Sequence, residues 1–302
     1  MKTKYFGVIG NRDYIKILGK KRPFWEFLDR QPCGWLTSLV YRRKDYPMDR
    51  GQMIWDCGAW SYRMSDVPKI GKDKVTPEWV LQEYRENAWP GDMLIAPDHM
   101  LIEGVDLTAR RRFNTVSAKK FLEICPDRFR PMACVHGMDA KERVTQAKRL
   151  ADMGYRHLAI GGVAARASQK AKVGALVAEI RRAVPDVYMH ILGLSSPNYM
   201  LMWDELGIQS CDGSSHFKQA FTGGAFFTQE NGKMKKWQAG RRDNDQTTDA
   251  PYCDCTACTK LRDDGIDTRF YGSNENNMGR AAHNLNKLME AHECARSVSS
   301  LV

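Results

Sequence analysis

Short apolar runs that alternate with longer amphipathic stretches constrain the fold of this sequence more than any other feature. Five runs rich in Ile, Val, Leu and Met are predicted as strands, at 52–55, 92–96, 131–135, 157–160 and 187–192. Five stretches of helical length lie beside them, at 76–87, 107–124, 140–153, 168–183 and 197–206. Because parallel strands need crossover helices, and because nearly continuous apolar strands imply a sheet covered on its faces, this alternation predicts an α/β fold.

The polar residues that end these strands favour a closed barrel. No G-x-G-x-x-G follows the first apolar run, so the signature of an open dinucleotide-binding sheet is missing from the sequence. In a (β/α)₈ barrel the C-terminal ends of the strands converge on one mouth, where the chemistry takes place. We therefore predict a (β/α)₈ TIM-like barrel over residues 1–215, whose mouth carries the polar or small residues Asp56, Asp98, His136, Gly161, Gly162, Gly193 and Asp212.

A cysteine motif follows the point where the alternation stops, near residue 216. Cys253, Cys255 and Cys258 form C-x-C-x2-C, and the predicted helix over 279–296 carries His283 and His292. Three thiolates and one imidazole fill the tetrahedron of a structural Zn²⁺ site, whereas the alternative is a set of buried thiols without a ligand. Spacing slightly favours His283, and His292 is expected to be solvated. We predict that residues 216–302 form a basic loop, a zinc-binding subdomain and a C-terminal helix packed on the barrel.

Composition narrows the class of protein. The 302 residues are 43% hydrophobic, and they carry nine cysteines, an odd number that argues against a disulfide framework. The longest apolar runs are too short for a membrane span or a secretory signal, so we expect a cytoplasmic protein with no membrane partner. Lys and Arg number 46 against 36 acidic residues, giving a net charge of +10 that attracts polyanions. Nucleic acid is therefore a candidate partner.

Two aspartates with small neighbours are candidates for the chemistry. Asp56 precedes Cys57-Gly-Ala-Trp60, and Asp212 precedes Gly213-Ser-Ser215, so a ligand can approach either carboxylate closely. A pair of carboxylates can divide the work of glycosyl transfer, because one attacks carbon while the other moves protons. The same segments are also compatible with turns or helix caps, and that alternative stays open at this point.

Several motifs together resemble the tRNA-guanine transglycosylases. Asp56-Cys-Gly-Ala-Trp60 is similar to their D-S-G-G-[YF] segment, and the zinc spacing followed by His283-Asn284 matches their zinc signature, which selects His283 over His292. The resemblance extends from about residue 50 to 295. The other matching segments occur in the family order, at Ala96-Pro-Asp98, Val135-His136-Gly137, Ile160-Gly161-Gly162-Val163-Ala164, Ile191-Leu192-Gly193, Cys211-Asp212 and Gln219-Ala-Phe-Thr222.

The resemblance implies a retaining base exchange on nucleic acid. Asp212 would attack C1′ of a guanine nucleotide and hold a covalent glycosyl-enzyme, and Asp56 would act as the general acid and base. Asp98 would accept hydrogen bonds from the base, Trp60 would stack on it, and His136 would touch its carbonyl edge. The remaining substrate-binding residues implied are Gly137, Gly161, Gly162, Leu192 and Gly193. For Trp60, His136, the Gly161-Gly162 pair and Leu192, a purely structural role is the alternative.

Departures from the family pattern suggest which nucleic acid is the substrate. Cys57 and Ala59 replace Ser and Gly, His136 replaces Gln, and the chain is shorter than expected of a tRNA enzyme. These traits resemble the divergent branch that inserts 7-deazaguanines into DNA. The leading hypothesis is replacement of guanine in DNA by a 7-deazaguanine such as the cyano form (preQ0), and the runner-up is guanine exchange in tRNA. A homodimer or a helper protein is implied only by the resemblance.

Two further hypotheses use the same residues. A non-catalytic nucleic-acid-binding barrel subunit is disfavoured because both Asp56 and Asp212 are present. A metal-dependent barrel hydrolase needs several histidines at strand ends, and only His99 and His136 are suitably placed.

Two basic clusters are candidate phosphate contacts. The cluster Arg110-Arg111-Arg112 is expected to be a solvated helix face, whereas either interpretation remains open for Lys233, Lys235, Lys236, Arg241 and Arg242, which interleave with Trp237.

Overall fold

The computed structural model describes residues 2–11, 13–41, 45–231, 233–241 and 247–299, with the backbone alone at 241 and 295–299. Over these residues the chain forms sixteen β-strands and eight α-helices. The strands are β1 (Lys4–Ile9), β2 (Tyr14–Ile17), β3 (Lys20–Pro23), β4 (Gly34–Ser38), β5 (Gln52–Asp56), β6 (Lys69–Ile70), β7 (Asp73–Lys74), β8 (Met93–Ile95), β9 (Arg130–Val135), β10 (His157–Ile160), β11 (Tyr188–Ile191), β12 (Ser210–Gly213), β13 (Ala225–Glu230), β14 (Lys233–Gln238), β15 (Gly240–Arg241) and β16 (Phe270–Tyr271). The helices are α1 (Pro77–Arg85), α2 (Leu107–Ile124), α3 (Ala140–Met153), α4 (Lys170–Ala183), α5 (Pro197–Glu205), α6 (Ser215–Thr222), α7 (Thr256–Asp263) and α8 (Asn274–Ser299).

The chain divides into two compact units. The first comprises residues 1–11, 33–194 and 202–212, and the second comprises 12–32, 195–201 and 213–302. The predicted division between residues 215 and 216 stays a prediction of domain organisation. The second unit takes in two earlier segments as well, because residues distant in sequence contact one another there.

Eight strands of the first unit close into a barrel in the order β1-β12-β11-β10-β9-β8-β5-β4. Neighbouring strands pair in parallel, and helices α1 to α5 follow the strands from β5 onward. The predicted (β/α)₈ barrel is therefore confirmed. The five predicted strands and five predicted helices are observed with shifts of a few residues at their ends. Between β1 and β4 the connection is a β2–β3 hairpin and a short 3₁₀ helix at Phe24–Phe27.

Side-chain caps explain where three of these helices begin. Thr76 accepts a hydrogen bond of 3.2 Å from the backbone N–H of Trp79, ahead of a proline at the first helical position of α1. Asp106 and Asp139 accept equivalent bonds of 2.9 and 2.7 Å at the starts of α2 and α3. Each cap satisfies one backbone donor that the first helical turn leaves free, typically worth about 1 kcal/mol.

The barrel interior is filled by one apolar side chain or more from each contributing strand. Its buried cluster consists of Phe6, Leu36, Ile54, Met93, Ile95, Met132 and Ala159. Strand register then sets the height of the mouth, because Val135, Ile160 and Ile191 are Cα partners across β9, β10 and β11. The residues that follow these three leave the sheet at the same level. The predicted site residues at the strand ends are positioned in this way.

The cluster of three arginines on α2 differs in part from its expected solvated face. Arg111 and Arg112 are exposed, and Arg111 pairs with Glu142 at 2.6 Å. Arg110 is buried, and its guanidinium donates hydrogen bonds to the carbonyl oxygens of Arg63, Ser65 and Met100. The expectation of a solvated side chain was therefore wrong for Arg110. These carbonyl oxygens accept hydrogen bonds from its guanidinium N–H groups inside the protein.

Helix α8 forms the centre of the second unit, and its side chains hold the β13–β14 hairpin. Asn284 accepts a hydrogen bond of 2.9 Å from the N–H of Phe227 and donates one of 2.9 Å to the carbonyl of Ala225. The buried guanidinium of Arg280 donates to the carbonyls of Ala220 and Thr268. These bonds satisfy polar groups that burial would otherwise make costly.

Among the described residues, no helix combines the length and apolar character that crossing a bilayer requires.

Candidate functional site

The carboxyl group of Asp56, the last residue of β5, has a pKa close to neutral pH. Burial and the negative charge of Asp98 raise its pKa to about 7, and the charge of Asp212 adds to the effect. Hydrogen bonds from Ser38 and from the backbone N–H of Gly58, at 3.0 Å from Oδ2, oppose the shift. A carboxyl group with a pKa near the working pH can both give and take a proton. Asp56 has the property that a general acid and base requires.

Asp98 lies just beyond β8 and is buried, with both carboxylate oxygens engaged. The thiol of Cys57 donates a hydrogen bond of 2.9 Å to Oδ1, and Nε2 of His136 lies 2.8 Å from Oδ2. Burial and the nearby carboxylates raise the pKa of the Cys57 thiol well above its usual range, so the thiol stays protonated and remains a donor. The hydroxyl group of Tyr62 also donates a hydrogen bond of 2.9 Å to the backbone carbonyl of Asp98. These contacts fix the direction in which the carboxylate points.

Asp212, the predicted nucleophile, lies on β12 and is buried. Its Oδ1 accepts a hydrogen bond of 2.8 Å from the backbone N–H of Gly193 and lies 3.1 Å from Nε2 of His190. Gly193 adopts a φ of +74°, a conformation that a side chain would disfavour and that turns its N–H toward the carboxylate. His190 was not predicted from the sequence, although it is the one fully buried polar side chain in the apolar run of β11.

The predicted glycines of the mouth are held by Arg143 on α3. Its guanidinium donates to the carbonyl of Gly137 at 2.9 Å and to that of Gly161 at 2.7 Å. A Cβ at Gly137 would lie 2.7 Å from the Arg143 backbone, so only glycine fits there. Leu192 packs on the barrel core, and a Cβ at Gly161 would lie 3.6 Å from it. Arg143 was also missed, because nothing in the local sequence distinguishes it from other helical arginines.

Trp60 lies on the turn that follows β5, and 65% of its surface is exposed. The guanidinium of Arg63 lies 4.1 Å from its ring centroid, and the same side chain donates 2.7 Å to the Trp60 carbonyl. This exposure excludes the alternative that Trp60 is a core residue. Stacking on a base stays a prediction for this ring.

The structure thus brings the three predicted aspartates into one electrostatic neighbourhood. The pKa of Asp56 responds to the charges of both Asp98 and Asp212, which come from barrel strands later in the chain. Burial and these two charges together favour the protonated form of Asp56.

The predicted metal ligands of the second unit also come together. Ligand atoms of Cys253, Cys255, Cys258 and His283 all lie within 4.8 Å of one another, so the cluster can hold a metal ion. Nδ1 of His283 lies 3.4 and 3.3 Å from the sulfurs of Cys255 and Cys258, while its Nε2–H donates 2.7 Å to the carbonyl of Phe227. That outer hydrogen bond fixes the tautomer in which Nδ1 is free to bind a metal. Of the two candidate histidines, His283 is the one that lies in this cluster.

His292 corrects a second expectation. Its side chain is buried rather than solvated, and Nε2 lies 2.8 Å from the carbonyl of Ser195. The helix that carries it is buried over most of its length, so no solvated face is available at this position.

A second group of ligand types lies in the barrel mouth. Asp98, Cys134 and His136 each offer one ligand atom within 4.8 Å of the others. His99, which the hydrolase hypothesis would also use, is buried against the rings of Tyr62 and Phe113 instead. Of the two suitably placed histidines, only His136 belongs to this group, whereas a metal-dependent hydrolase needs several.

The basic hairpin of the second unit combines lysines with aromatic rings on β13 and β14. Nζ of Lys235 lies 4.1 Å from the ring centroid of Trp237, and Nζ of Lys236 lies 5.9 Å from that of Phe227. Lys233, Lys235 and Trp237 alternate along β14, and the first two are exposed. The side chain of Arg241 and the whole of Arg242 lie outside the described residues. An exposed strand of lysines with an aromatic ring can contact phosphates and bases.

Comparisons with known proteins agree with the motifs. A family model described as "Queuine tRNA-ribosyltransferase" (TGT) matches residues 100–298. A DNA-guanine transglycosylase from Salmonella montevideo is 24% identical over 180 residues, which cover 57% of this chain and 43% of that relative. The match thus spans less than half the length of the curated relative.

Proposed function

This chain belongs to the queuine tRNA-ribosyltransferase family, and on that premise we propose that it is a glycosyltransferase that exchanges a guanine base in nucleic acid. The observation that carries the proposal is the raised pKa of Asp56, about 7, in a site that also holds Asp98 and Asp212. A retaining base exchange needs one group that attacks carbon and one that moves protons near neutral pH. We assign the attack on carbon to Asp212 and the movement of protons to Asp56.

In the first step, Asp212 attacks C1′ of a guanine nucleotide. The new bond joins a carboxylate oxygen to C1′, while the bond from C1′ to guanine breaks and its electron pair leaves with the base. Asp56 gives its proton to the departing guanine, which neutralises that electron pair. Because the pKa of Asp56 is about 7, a large fraction of the protein molecules carries this proton on Asp56 at neutral pH.

In the second step, the charged Asp56 accepts the proton of an incoming 7-deazaguanine. The freed nitrogen attacks C1′, the ester bond breaks, and its electron pair returns to the Asp212 carboxylate. Two inversions at C1′ keep the original configuration. The enzyme ends with both aspartates in their starting protonation states.

Base recognition is assigned to the groups around Asp98. Its carboxylate, oriented by the Cys57 thiol and lying beside His136, would accept hydrogen bonds from the N–H edge of the purine. His136 would reach the carbonyl edge, Leu192 would pack on one face, and Trp60 would stack on the base. The backbone of Gly137, Gly161, Gly162 and Gly193 would line the approach. A flipped base loses a few kcal/mol of stacking and pairing, and about 1–3 kcal/mol from an aromatic platform offsets part of this loss.

The leading substrate is DNA, with a 7-deazaguanine such as preQ0 as the incoming base. Its support is the resemblance to the Salmonella montevideo DNA-guanine transglycosylase and the replacement of the family's Ser, Gly and Gln by Cys57, Ala59 and His136. The tRNA alternative has the support of the family description itself. Dimer formation, a helper protein and a cytoplasmic location remain predictions from the resemblance.

Zn²⁺ is the metal that best fits the Cys253, Cys255, Cys258 and His283 cluster. Three sulfurs and one imidazole suit its tetrahedral preference, and all four positions come from the protein. Such a closed site supplies structural stability and no chemistry to the reaction. Its ligands would hold the start of α7 against α8 within the second unit.

A substrate panel tests the proposed function. The protein is incubated with a 7-deazaguanine and with duplex DNA, single-stranded DNA or tRNA, each carrying radiolabelled guanine. Release of label from DNA supports the leading proposal, whereas release from tRNA alone supports the alternative. Binding of nucleic acid without release from any substrate would reject base exchange and favour a non-catalytic subunit.

Metal analysis tests the hydrolase alternative, which the Asp98, Cys134 and His136 group favours. If the barrel mouth holds a catalytic metal, wild-type protein contains two equivalents, and Cys134→Ser contains one. Base exchange predicts one equivalent in both proteins, and none in Cys258→Ser.

A further inference from the structure

His190 connects the predicted nucleophile to a chain of buried hydroxyl groups. Its ring is fully buried, with Nε2 at 3.1 Å from Oδ1 of Asp212 and Nδ1 at 2.7 Å from Oγ of Ser210. Tyr188 donates a hydrogen bond of 2.8 Å to the same Ser210 oxygen. The aromatic ring of Phe6 meets the imidazole edge-on at 5.8 Å. The imidazole is therefore held on several sides by neighbouring barrel strands.

The donors in this chain run in one direction. Because the Tyr188 hydroxyl donates to Ser210, the Ser210 hydroxyl uses its own proton toward Nδ1 of His190. Nδ1 then accepts, so the neutral ring carries its proton on Nε2 and donates it to Asp212. The order of the chain is Tyr188, Ser210, His190, Asp212. It fixes the tautomer of the histidine in the way an outer hydrogen bond does in other sites.

Both observed donors to the Asp212 side chain, His190 Nε2–H and Gly193 N–H, meet the same oxygen, Oδ1. We propose that His190 is a positioning residue that reserves Oδ2 of Asp212 for attack on C1′ and stabilises the carboxylate when the glycosyl group leaves it. This inference rests on the proposed function. It adds a residue to which neither the motifs nor the comparisons assign a role.

The two steps of the exchange should respond differently to this donor. Hydrogen bonds to Oδ1 stabilise the charged carboxylate more than the neutral ester, since charge-assisted bonds are the stronger ones. They therefore favour breakage of the ester in the second step, where negative charge returns to Asp212. Without His190, the covalent adduct still forms but persists. One lost hydrogen bond to a charged group corresponds to a roughly 10- to 100-fold slower release.

The main test is the lifetime of the covalent adduct in His190→Phe, which keeps an aromatic ring and removes both nitrogens. Adduct is formed with the nucleic acid that wild-type protein uses, 7-deazaguanine is added, and adduct is measured on denaturing gels over time. We expect a 10- to 100-fold longer lifetime. His190→Gln, whose amide can donate to Asp212, is expected to restore most of the wild-type rate.

Matched variants separate this effect from a general loss of packing. His216 is also fully buried, lies in the second unit and is not part of the proposed chemistry, so His216→Phe should leave the adduct lifetime unchanged. Asp212→Ala should form no adduct. Equal slowing of adduct formation and release in His190→Phe, or no rescue by His190→Gln, would overturn the inference.

A readout that needs no activity separates failure of this inference from failure of the proposed function. In ¹⁵N NMR spectra of the wild-type protein, we expect His190 to be the neutral tautomer protonated at Nε2, with a shift change at that nitrogen in Asp212→Asn. Absence of adduct in wild-type protein would count against base exchange alone. A His190 signal protonated at Nδ1, or one insensitive to Asp212→Asn, would overturn the positioning role even if exchange is observed.

Discussion

Nε2 of His136 lies 2.8 Å from Oδ2 of Asp98, on the opposite oxygen from the one that accepts the Cys57 thiol proton. One carboxylate in the barrel mouth thus accepts a hydrogen bond at Oδ1 and has an imidazole nitrogen beside Oδ2, from residues at two other strand ends. The same carboxylate raises the pKa of Asp56. In the proposed function, Asp98 would therefore link recognition of the base to the proton chemistry of Asp56.

Replacing Asp98 by asparagine should move the pH dependence of the first step. Burial and, next to it, the negative charge of Asp98 raise the pKa of Asp56 to about 7, so removing this charge lowers that pKa. Asp56 then loses its proton at lower pH, and the alkaline decline of guanine release shifts toward acid. Single-turnover release between pH 5 and 9 measures the shift. Asp106→Asn makes the same charge change at an exposed helix cap and should leave the profile unchanged.

Asp56→Asn should stabilise the protein at alkaline pH. A carboxyl group whose pKa is raised from about 4 to about 7 binds more protons in the folded state than in the unfolded state between these values. The free energy of unfolding therefore falls as pH rises through this window. Asparagine removes the effect, so the melting temperature of Asp56→Asn should exceed that of wild type at pH 8. The two proteins should converge near pH 4, and an equal difference at both pH values would contradict the assigned pKa.

Removal of the metal should destabilise the second unit. Cys258→Ser leaves two sulfurs and one imidazole, and an incomplete tetrahedron binds Zn²⁺ far more weakly. Because metal-binding free energy contributes to folding, we expect loss of zinc and of several kcal/mol of unfolding free energy. Elemental analysis and thermal denaturation measure these two quantities. Cys33→Ser changes an exposed cysteine and should retain one full equivalent of zinc.

The basic hairpin should contribute to nucleic-acid affinity through phosphate contacts. Alanine at Lys233, Lys235 and Lys236 together removes three charges from β14. If all three meet phosphates, the slope of log K against log salt should fall by about 3, less for single strands. Titrations between 50 and 200 mM salt measure it. Alanine at the exposed helix residues Lys119, Lys120 and Lys148 is the matched control, and an equal loss there would indicate general electrostatics rather than a site.

Local sequence patterns predicted much of the architecture. The apolar runs ending near Trp55, Val135 and Ile160 became barrel strands, because a buried parallel strand needs continuous apolar residues whatever surrounds it. The spacing of Cys253, Cys255 and Cys258 predicted a metal cluster for a similar reason. Three thiols so near one another in the sequence can bind the same ion. These features depend on residues within a few positions of one another.

What the tertiary structure decided depends on residues that are far apart in the chain. The sequence identified Asp56 and Asp212 but not the raised pKa of the first or the histidine beside the second. His190 looks like one more strand residue until β12 pairs with β11, and Arg143 looks like a surface residue until its guanidinium reaches the carbonyl of Gly161. Charge, burial and hydrogen bonding at a group are set by its neighbours in space. Closure of the barrel brings those neighbours together. They come from distant parts of the chain, so no short stretch of sequence contains them.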